Sequence, residues 1–185
     1  MRKAMTRDEF LAWERRQELR YEFDGFVPMA MTGGTVAHAI IQRNLITALT
    51  IRLRGKACQP FGSELKIAVA GSIRYPDAFV LCSPIAPDAQ IVDHPVVIFE
   101  ILSRSTAMID RVVKNQEYQD TPSVTRYVML EQSRAVATMF ERVDGDWIGH
   151  VVRGDAVLPM PEIGIEVPLA ELYEAVEFPE AIEAD

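Results

Sequence analysis

Between residues 35 and 54 the apolar side chains Ile41, Leu45, Ala48, Leu49 and Leu53 recur at spacings of three and four. That is the period of a helix with one buried face, and Gly55 supplies its stop. A shorter helix is predicted before it. Thr6 and Glu9 have the spacing of a capping box, and Phe10, Leu11, Trp13, Glu14 and Leu19 make an amphipathic stretch ending near Glu18. Asp24-Gly25 lies between alternating apolar residues, a strong hairpin signal, and predicts paired strands at 21–23 and 26–31. Gly33-Gly34 then breaks the chain.

From Cys58 onward the period falls to two. Leu65, Ile67 and Val69 alternate with Lys66 and Ala68, and residues 76–81 read as another strand. Pro84 and Pro87 mark a loop. Residues 96–102 are apolar on both faces, as in a sheet covered on both sides. A third helix is predicted at 105–119. Strands follow at 125–130, 135–141 and 147–152, the last two joined by Asp144-Gly145-Asp146. A short helix at 169–176 and an acidic tail at 177–185 close the chain. This order implies an α/β (α+β) fold, with a mixed central sheet flanked by helices.

The length of 185 residues suits one domain, at roughly 150 residues per domain, here spanning 1–176 before the tail. A content of 49% hydrophobic and 25% charged residues is that of a globular chain, which excludes disorder and coiled coil. The net charge of -8 argues against a nucleic-acid coat, since phosphate binding is driven by Lys and Arg, yet it leaves room for a local basic surface. Met1-Arg2-Lys3 is followed by no apolar core, so no signal peptide is expected. The apolar run 96–102 is far shorter than the roughly 20 residues of a spanning helix. Cys58 and Cys82 lack metal-ligand spacing and read as small core residues in a reducing compartment. These features together predict a cytoplasmic protein without membrane contact.

Glu100 is the residue out of keeping with its surroundings, a carboxylate within Val96-Val97-Ile98-Phe99-Glu100-Ile101-Leu102. Such a group is costly to bury unless it is paired or metal-bound; as a strand end already in solvent it would mean nothing. Asp77 opens the preceding strand, directly after Pro76. If the two strands are antiparallel neighbours, Asp77 and Glu100 lie nearly opposite each other, with Cβ atoms about 5 Å apart. Carboxylates that close repel unless a cation separates them, and an all-oxygen pair suits Mg²⁺ or Mn²⁺. Asp110, Lys114 and Tyr118 follow at intervals of four and share a helical face. They form either a solvated ion pair or a lysine reaching back to the two acids to offset charge on a phosphate.

These residues, in this order, resemble the Uma2 (DUF820) group of endonucleases within the PD-(D/E)XK nuclease superfamily. The matching pieces run from Tyr21-Glu22-Phe23-Asp24-Gly25 through His38 with Gln42 to Pro76-Asp77. They continue with Phe99-Glu100-Ile101-Leu102-Ser103, Ser105-Thr106, Asp110 with Lys114 and Tyr118, and Arg126-Tyr127-Val128. The resemblance implies a restriction-endonuclease-like core and an Mg²⁺- or Mn²⁺-dependent phosphodiesterase acting on DNA. Asp77 and Glu100 would be metal ligands with the backbone carbonyl of Ile101. In the superfamily a lysine stands two residues after the acid; here that position is Leu102, and the resemblance implies that its role has moved to Lys114. It also brings Glu22 near the site, and His38 as a group that binds phosphate or accepts a proton. As plain residues, Glu22 is an exposed neighbour of a turn and His38 a structural histidine. Arg104 stands where the family has proline and is a candidate phosphate contact. Lys66 is a further candidate for the same sheet face.

Two other readings fit the residues. The chain is either a catalytically inactive binding or dimerisation module on the nuclease fold, or a metal-dependent hydrolase of another phosphorylated substrate. A basic patch drawn from Arg43, Arg52, Arg54, Lys56, Arg104 and Arg111 would favour DNA. A homodimer is expected from the prevalence of two-fold assemblies. His94 and His150 have no partner visible in the sequence, and Gly33-Gly34 lacks the Gly-Lys-Ser of a phosphate-binding loop.

Overall fold

The computed structural model describes residues 4–31, 33–103 and 108–178. The first helix, α1 (Arg7–Glu14), starts at the expected capping box, with Thr6 and Glu9 each capping the other's backbone N–H. It stops at Glu14 rather than near Glu18. The next residues, Arg15, Arg16, Gln17 and Glu18, have no apolar group to bury, and Leu19 stays exposed. The hairpin follows as β1 (Tyr21–Phe23) and β2 (Pro28–Ala30), antiparallel with Tyr21 opposite Ala30. Its turn is longer than two residues because Asp24 Oδ1 accepts from the N–H groups of both Phe26 and Val27, an Asx turn. Gly25 takes φ +88° there.

Helix α2 (Val36–Leu53) is capped by Thr35, and all five apolar positions read from its period are buried. Eleven strands then share three sheets with β1 and β2. They are β3 (Gln59–Gly62), β4 (Lys66–Val69), β5 (Ser72–Arg74), β6 (Ala78–Leu81), β7 (Ile91–Val92), β8 (Val97–Leu102), β9 (Arg126–Glu131), β10 (Val136–Val143), β11 (Asp146–Arg153) and β12 (Val157–Met160), with β13 (Ile165–Pro168) pairing β12. A six-stranded sheet in the order β11-β10-β9-β8-β6-β3 is the centre of the molecule, and a five-stranded sheet has the order β2-β1-β5-β4-β7. The central sheet is mixed, since β8 and β9 run parallel and the other neighbours antiparallel.

Alternation sorts the central sheet's side chains onto two faces. Val80, Val97, Phe99, Ile101, Val128 and Leu130 pack against α2, the β12–β13 hairpin and α4 (Leu169–Leu172). Phe79, Leu81, Ile98, Leu102, Tyr127 and Met129 pack against Ile67, Val69 and Val92 of the second sheet and against Tyr118. Both faces of β8 are thus covered, as its unbroken apolar run predicts. Asp77 and Glu100 fall on the second face by the same alternation.

Strands β5 and β7 and the β12–β13 hairpin are absent from the sequence reading; they are two to four residues long, too short to show a period. The start expected for the third helix, at Ser105 and Thr106, lies outside the described residues. Its first described part, Ile109–Lys114, is a π-helical turn that runs into α3 (Asn115–Gln119). The closing helix ends at Leu172 rather than 176. The cysteines require a correction: Cys58 and Cys82 form a disulfide. Antiparallel pairing of Gln59 with Leu81 places the next residues, Cys58 and Cys82, opposite each other, a contact between positions 24 apart that no sequence spacing announces. Among the described residues no helix is long and apolar enough to cross a membrane.

Candidate active site

Asp77 sits at the start of β6 because Pro76, which has no N–H to give a ladder, is tolerated there. The pairing of Ala78 with Phe99 sets Asp77 across from Glu100 on the next strand, the neighbourhood expected from the sequence. Ile101 N–H donates to Asp77 Oδ2 at 2.6 Å. The other carboxylate oxygen, Oδ1, is 2.9 Å from His38 Nε2, and Gln42 Nε2 donates to the Asp77 carbonyl at 2.9 Å. Four residues separate His38 and Gln42 on α2, so one helical face holds both the side chain and the backbone of Asp77. Gln132, just beyond β9, lies 3.4 Å from His38 Nδ1, and Thr35 Oγ1 donates to Gln132 Oε1 at 2.6 Å. Burial lowers the His38 pKa, but hydrogen bonding and attraction to Asp77 outweigh it, and the net displacement is upward.

Glu100 is buried, with its Oε1 accepting from Lys114 Nζ at 2.9 Å and from Tyr118 Oη at 2.8 Å. The π-helical turn and the helix after it bring Asp110, Lys114 and Tyr118 to one side, as their spacing predicts. Such turns cluster at functional sites. Lys114 Nζ is also 3.1 Å from Glu22 Oε1 and 3.2 Å from Asp110 Oδ1. Asp110 Oδ1 is buried and makes no well-formed hydrogen bond among the described residues. One ammonium therefore faces three carboxylates. Burial, opposed by Lys114 and reinforced by Asp110, Asp77 and Glu22, pushes the Glu100 carboxyl up to about 8. Glu22 moves the other way: burial raises it, but Lys114, Arg74 and the N–H of Tyr75 together bring it below the ordinary range. Lys114 is held protonated, because the three acids outweigh the cost of burying it.

The structure thus gathers five residues expected from the sequence, Glu22, His38, Asp77, Glu100 and Lys114, in one connected set. Lys66 is elsewhere: it pairs with Glu14, which also accepts from Tyr75 Oη at 2.7 Å. The proposed basic patch is partly spent on internal contacts. Arg52 pairs with Glu171, Arg111 with Glu131, and Lys56 donates to the Gly164 carbonyl. Arg104 lies outside the described residues. His150 has a partner after all, Glu141, at 2.8 Å on the neighbouring strand. Arg74, Glu117 and Gln132 belong to the same network but escape a sequence reading. For Arg74 the signal present was its place between Ile73 and Tyr75, immediately before Pro76-Asp77.

Among the described residues no three His, Cys, Asp or Glu side chains assemble into a metal-ligand set. Asp77 and Glu100 remain a two-carboxylate arrangement beside the backbone of Ile101.

Comparison with known proteins agrees with this architecture. A chain from Anabaena variabilis ATCC 29413, described as a putative nuclease belonging to DUF820, superposes with a TM-score of 0.76 at 18% identity, over 92% of this chain and 98% of that one. At that identity the likeness is one of fold. The uncharacterized Synechocystis protein slr1290 is 30% identical over 179 residues, covering 94% of each chain. A second uncharacterized Synechocystis protein, sll1609, is 26% identical over 159 residues, covering 83% of this chain and 90% of its own. Residues 7–170 match the family model Uma2, described as "Putative restriction endonuclease". With a match across most of its length, this chain belongs to the Uma2 family.

Proposed function

We propose that the protein is a divalent-metal-dependent DNA endonuclease hydrolysing phosphodiester bonds, with residues 1–176 acting as one domain. One observation carries the reading: Asp77 and Glu100 lie across from each other on adjacent strands, with a buried lysine held against Glu100 at 2.9 Å. The donor set fits Mg²⁺ or Mn²⁺. Both acids offer oxygen, and the surplus of carboxylate around Lys114 leaves room for a further cation. Asp77 and Glu100 would hold the ion with the Ile101 carbonyl, which shares a strand edge with the N–H that Asp77 accepts; Mg²⁺ usually retains water in its remaining positions. A bound metal would supply a more acidic water and polarise a phosphoryl oxygen.

The chain's own residues do the rest. Lys114 keeps its proton, donates to Glu100, and offers positive charge against the negative charge that would build on the phosphoryl oxygens. Tyr118 donates to the same oxygen of Glu100 and helps to orient the carboxylate. His38 holds Asp77 Oδ1 and is the group within reach to take a proton or contact the phosphate. Glu22 holds the Lys114 ammonium opposite Glu100. A cytoplasmic location now rests on the DNA substrate alone, since the Cys58–Cys82 disulfide removes the argument from free thiols, and a homodimer follows the commonest mode of assembly. The test is cleavage of plasmid and linear DNA with Mg²⁺ or Mn²⁺, comparing wild type with Glu100→Gln and Lys114→Met. Metal-dependent cleavage lost in both variants supports the reading. No cleavage by wild type, or equal cleavage by both variants, overturns it.

The inactive-module reading draws support from the same lysine. An ammonium enclosed by three acids is already neutralised, and the cations beside it are committed to internal partners.

A further inference from the structure

Arg74 is the last residue of β5 and is fully buried. Burying a guanidinium is expensive, by several kcal/mol per ion after relaxation, unless every donor finds an acceptor. Arg74 gives each of its three nitrogens an acceptor on one of two acids from different elements. Its Nε and Nη2 donate to Glu117 of α3 at 2.7 and 2.6 Å, a two-pronged pairing. Its Nη1 donates to Glu22 of β1 at 3.2 Å. Ser72 Oγ adds a bond to Glu117 at 2.9 Å, and Tyr75 N–H adds one to Glu22 at 3.1 Å.

Both partners lead to Lys114. Glu22 is 3.1 Å from the ammonium. Glu117 is three residues further along the same helical run, just past the change from π to α winding. A π-helical turn has an unusual phase, and the direction in which Lys114 points depends on how the following helix is anchored. Arg74 anchors that helix through Glu117. It also gives Glu22 a second cation, so Glu22 does not draw Lys114 away from Glu100. Core stability alone does not demand such a group, since buried ion networks are often replaceable by apolar side chains at no loss.

We propose that Arg74 is a positioning residue which, through Glu22 and Glu117, sets the Lys114 ammonium on Glu100. The catalytic consequence rests on the nuclease reading above; the placement of Lys114 does not. A displaced lysine lowers kcat on the order of 100-fold, with a much smaller change in KM for DNA.

The experiment observes the Lys114 ammonium directly. A buried, hydrogen-bonded lysine gives a protected ¹⁵Nζ cross-peak, assigned by its loss in Lys114→Met. Arg74→Lys and Glu117→Gln are compared with Arg126→Lys, which alters another buried arginine held by two acids, Glu162 and Glu141. Circular dichroism checks the fold of each. The expected result is a shifted or lost cross-peak in Arg74→Lys and in Glu117→Gln, with kcat reduced, and an unmoved cross-peak in Arg126→Lys. If Arg74→Lys fails to fold, Glu117→Gln decides alone by the same criterion. An unmoved cross-peak in a folded Arg74 or Glu117 variant, an equal shift in Arg126→Lys, or unchanged kcat in a cleaving enzyme overturns the proposal. Should wild type cut no DNA, the nuclease reading falls while the cross-peak still decides the role of Arg74.

Discussion

Lys114 Nζ lies 2.9 Å from Glu100 Oε1 although the two groups belong to a helix and a strand, and both are almost completely buried. The ammonium is the only cation shared by Glu22, Glu100 and Asp110 among the described contacts. Lys114→Ala should therefore do more than remove activity. It leaves three buried carboxylates around a void, and breaking a buried ion pair by removing one partner typically costs about 3–5 kcal/mol. Chemical denaturation at pH 8 should show that loss. A variant as stable as wild type would mean that the acids are balanced some other way.

Glu100 should make the metal-free protein sensitive to alkali. Its carboxyl, ordinarily near 4.5, is pushed up to about 8 by burial and by neighbouring acids, against the pull of Lys114. A group whose folded pKa is raised contributes stability that is full below the unfolded value and is lost as pH rises through the folded one. Glu100→Gln, which keeps an acceptor oxygen but cannot ionise, should gain stability relative to wild type between pH 4.5 and about 8, and the difference should then level off. Denaturation curves in the presence of a chelator test this. Curves that stay parallel across that range would show Glu100 already ionised in the fold.

Divalent metal should stabilise wild type and not Asp77→Asn. A ligand that binds the folded state alone adds about 2.7 kcal/mol at one hundred times its Kd. Asp77→Asn removes a charged oxygen and weakens the contact with His38 at 2.9 Å. Thermal melts with and without millimolar Mn²⁺ compare the two. An equal rise in both proteins would place the bound ion away from Asp77.

The disulfide should be measurable as stability. Cys58 and Cys82 are 24 residues apart, and closing a loop of that length in the unfolded chain is worth roughly 3 kcal/mol in the chain-entropy description. Reduction by a dithiol, or Cys58→Ser, should lower the melting temperature. Alkylation of unreduced, unfolded protein should label neither cysteine. Full labelling before reduction would show the pair to be free thiols.

Much of this molecule is legible in its sequence, for physical reasons particular to each element. The buried face of α2 is written as Ile41, Leu45, Ala48, Leu49 and Leu53 because a helix repeats its contacts every three or four residues. The capping box of Thr6 and Glu9, the turn at Asp144-Gly145 and the doubly buried strand β8 are local signals of the same kind. Asp77 and Glu100 could be paired by counting, since antiparallel register links position to position. What only the tertiary structure decides is contact between elements that carry no shared period. The meeting of Cys58 with Cys82 depends on β3 choosing β6 as its neighbour. The clamp of Arg74 on Glu22 and Glu117 depends on the second sheet stacking beneath α3. The approach of His38 to Asp77 depends on α2 packing on the central sheet beside the start of β6. Charges meet there because burial takes water away as a partner and leaves them to one another, and that condition exists only once the chain has folded.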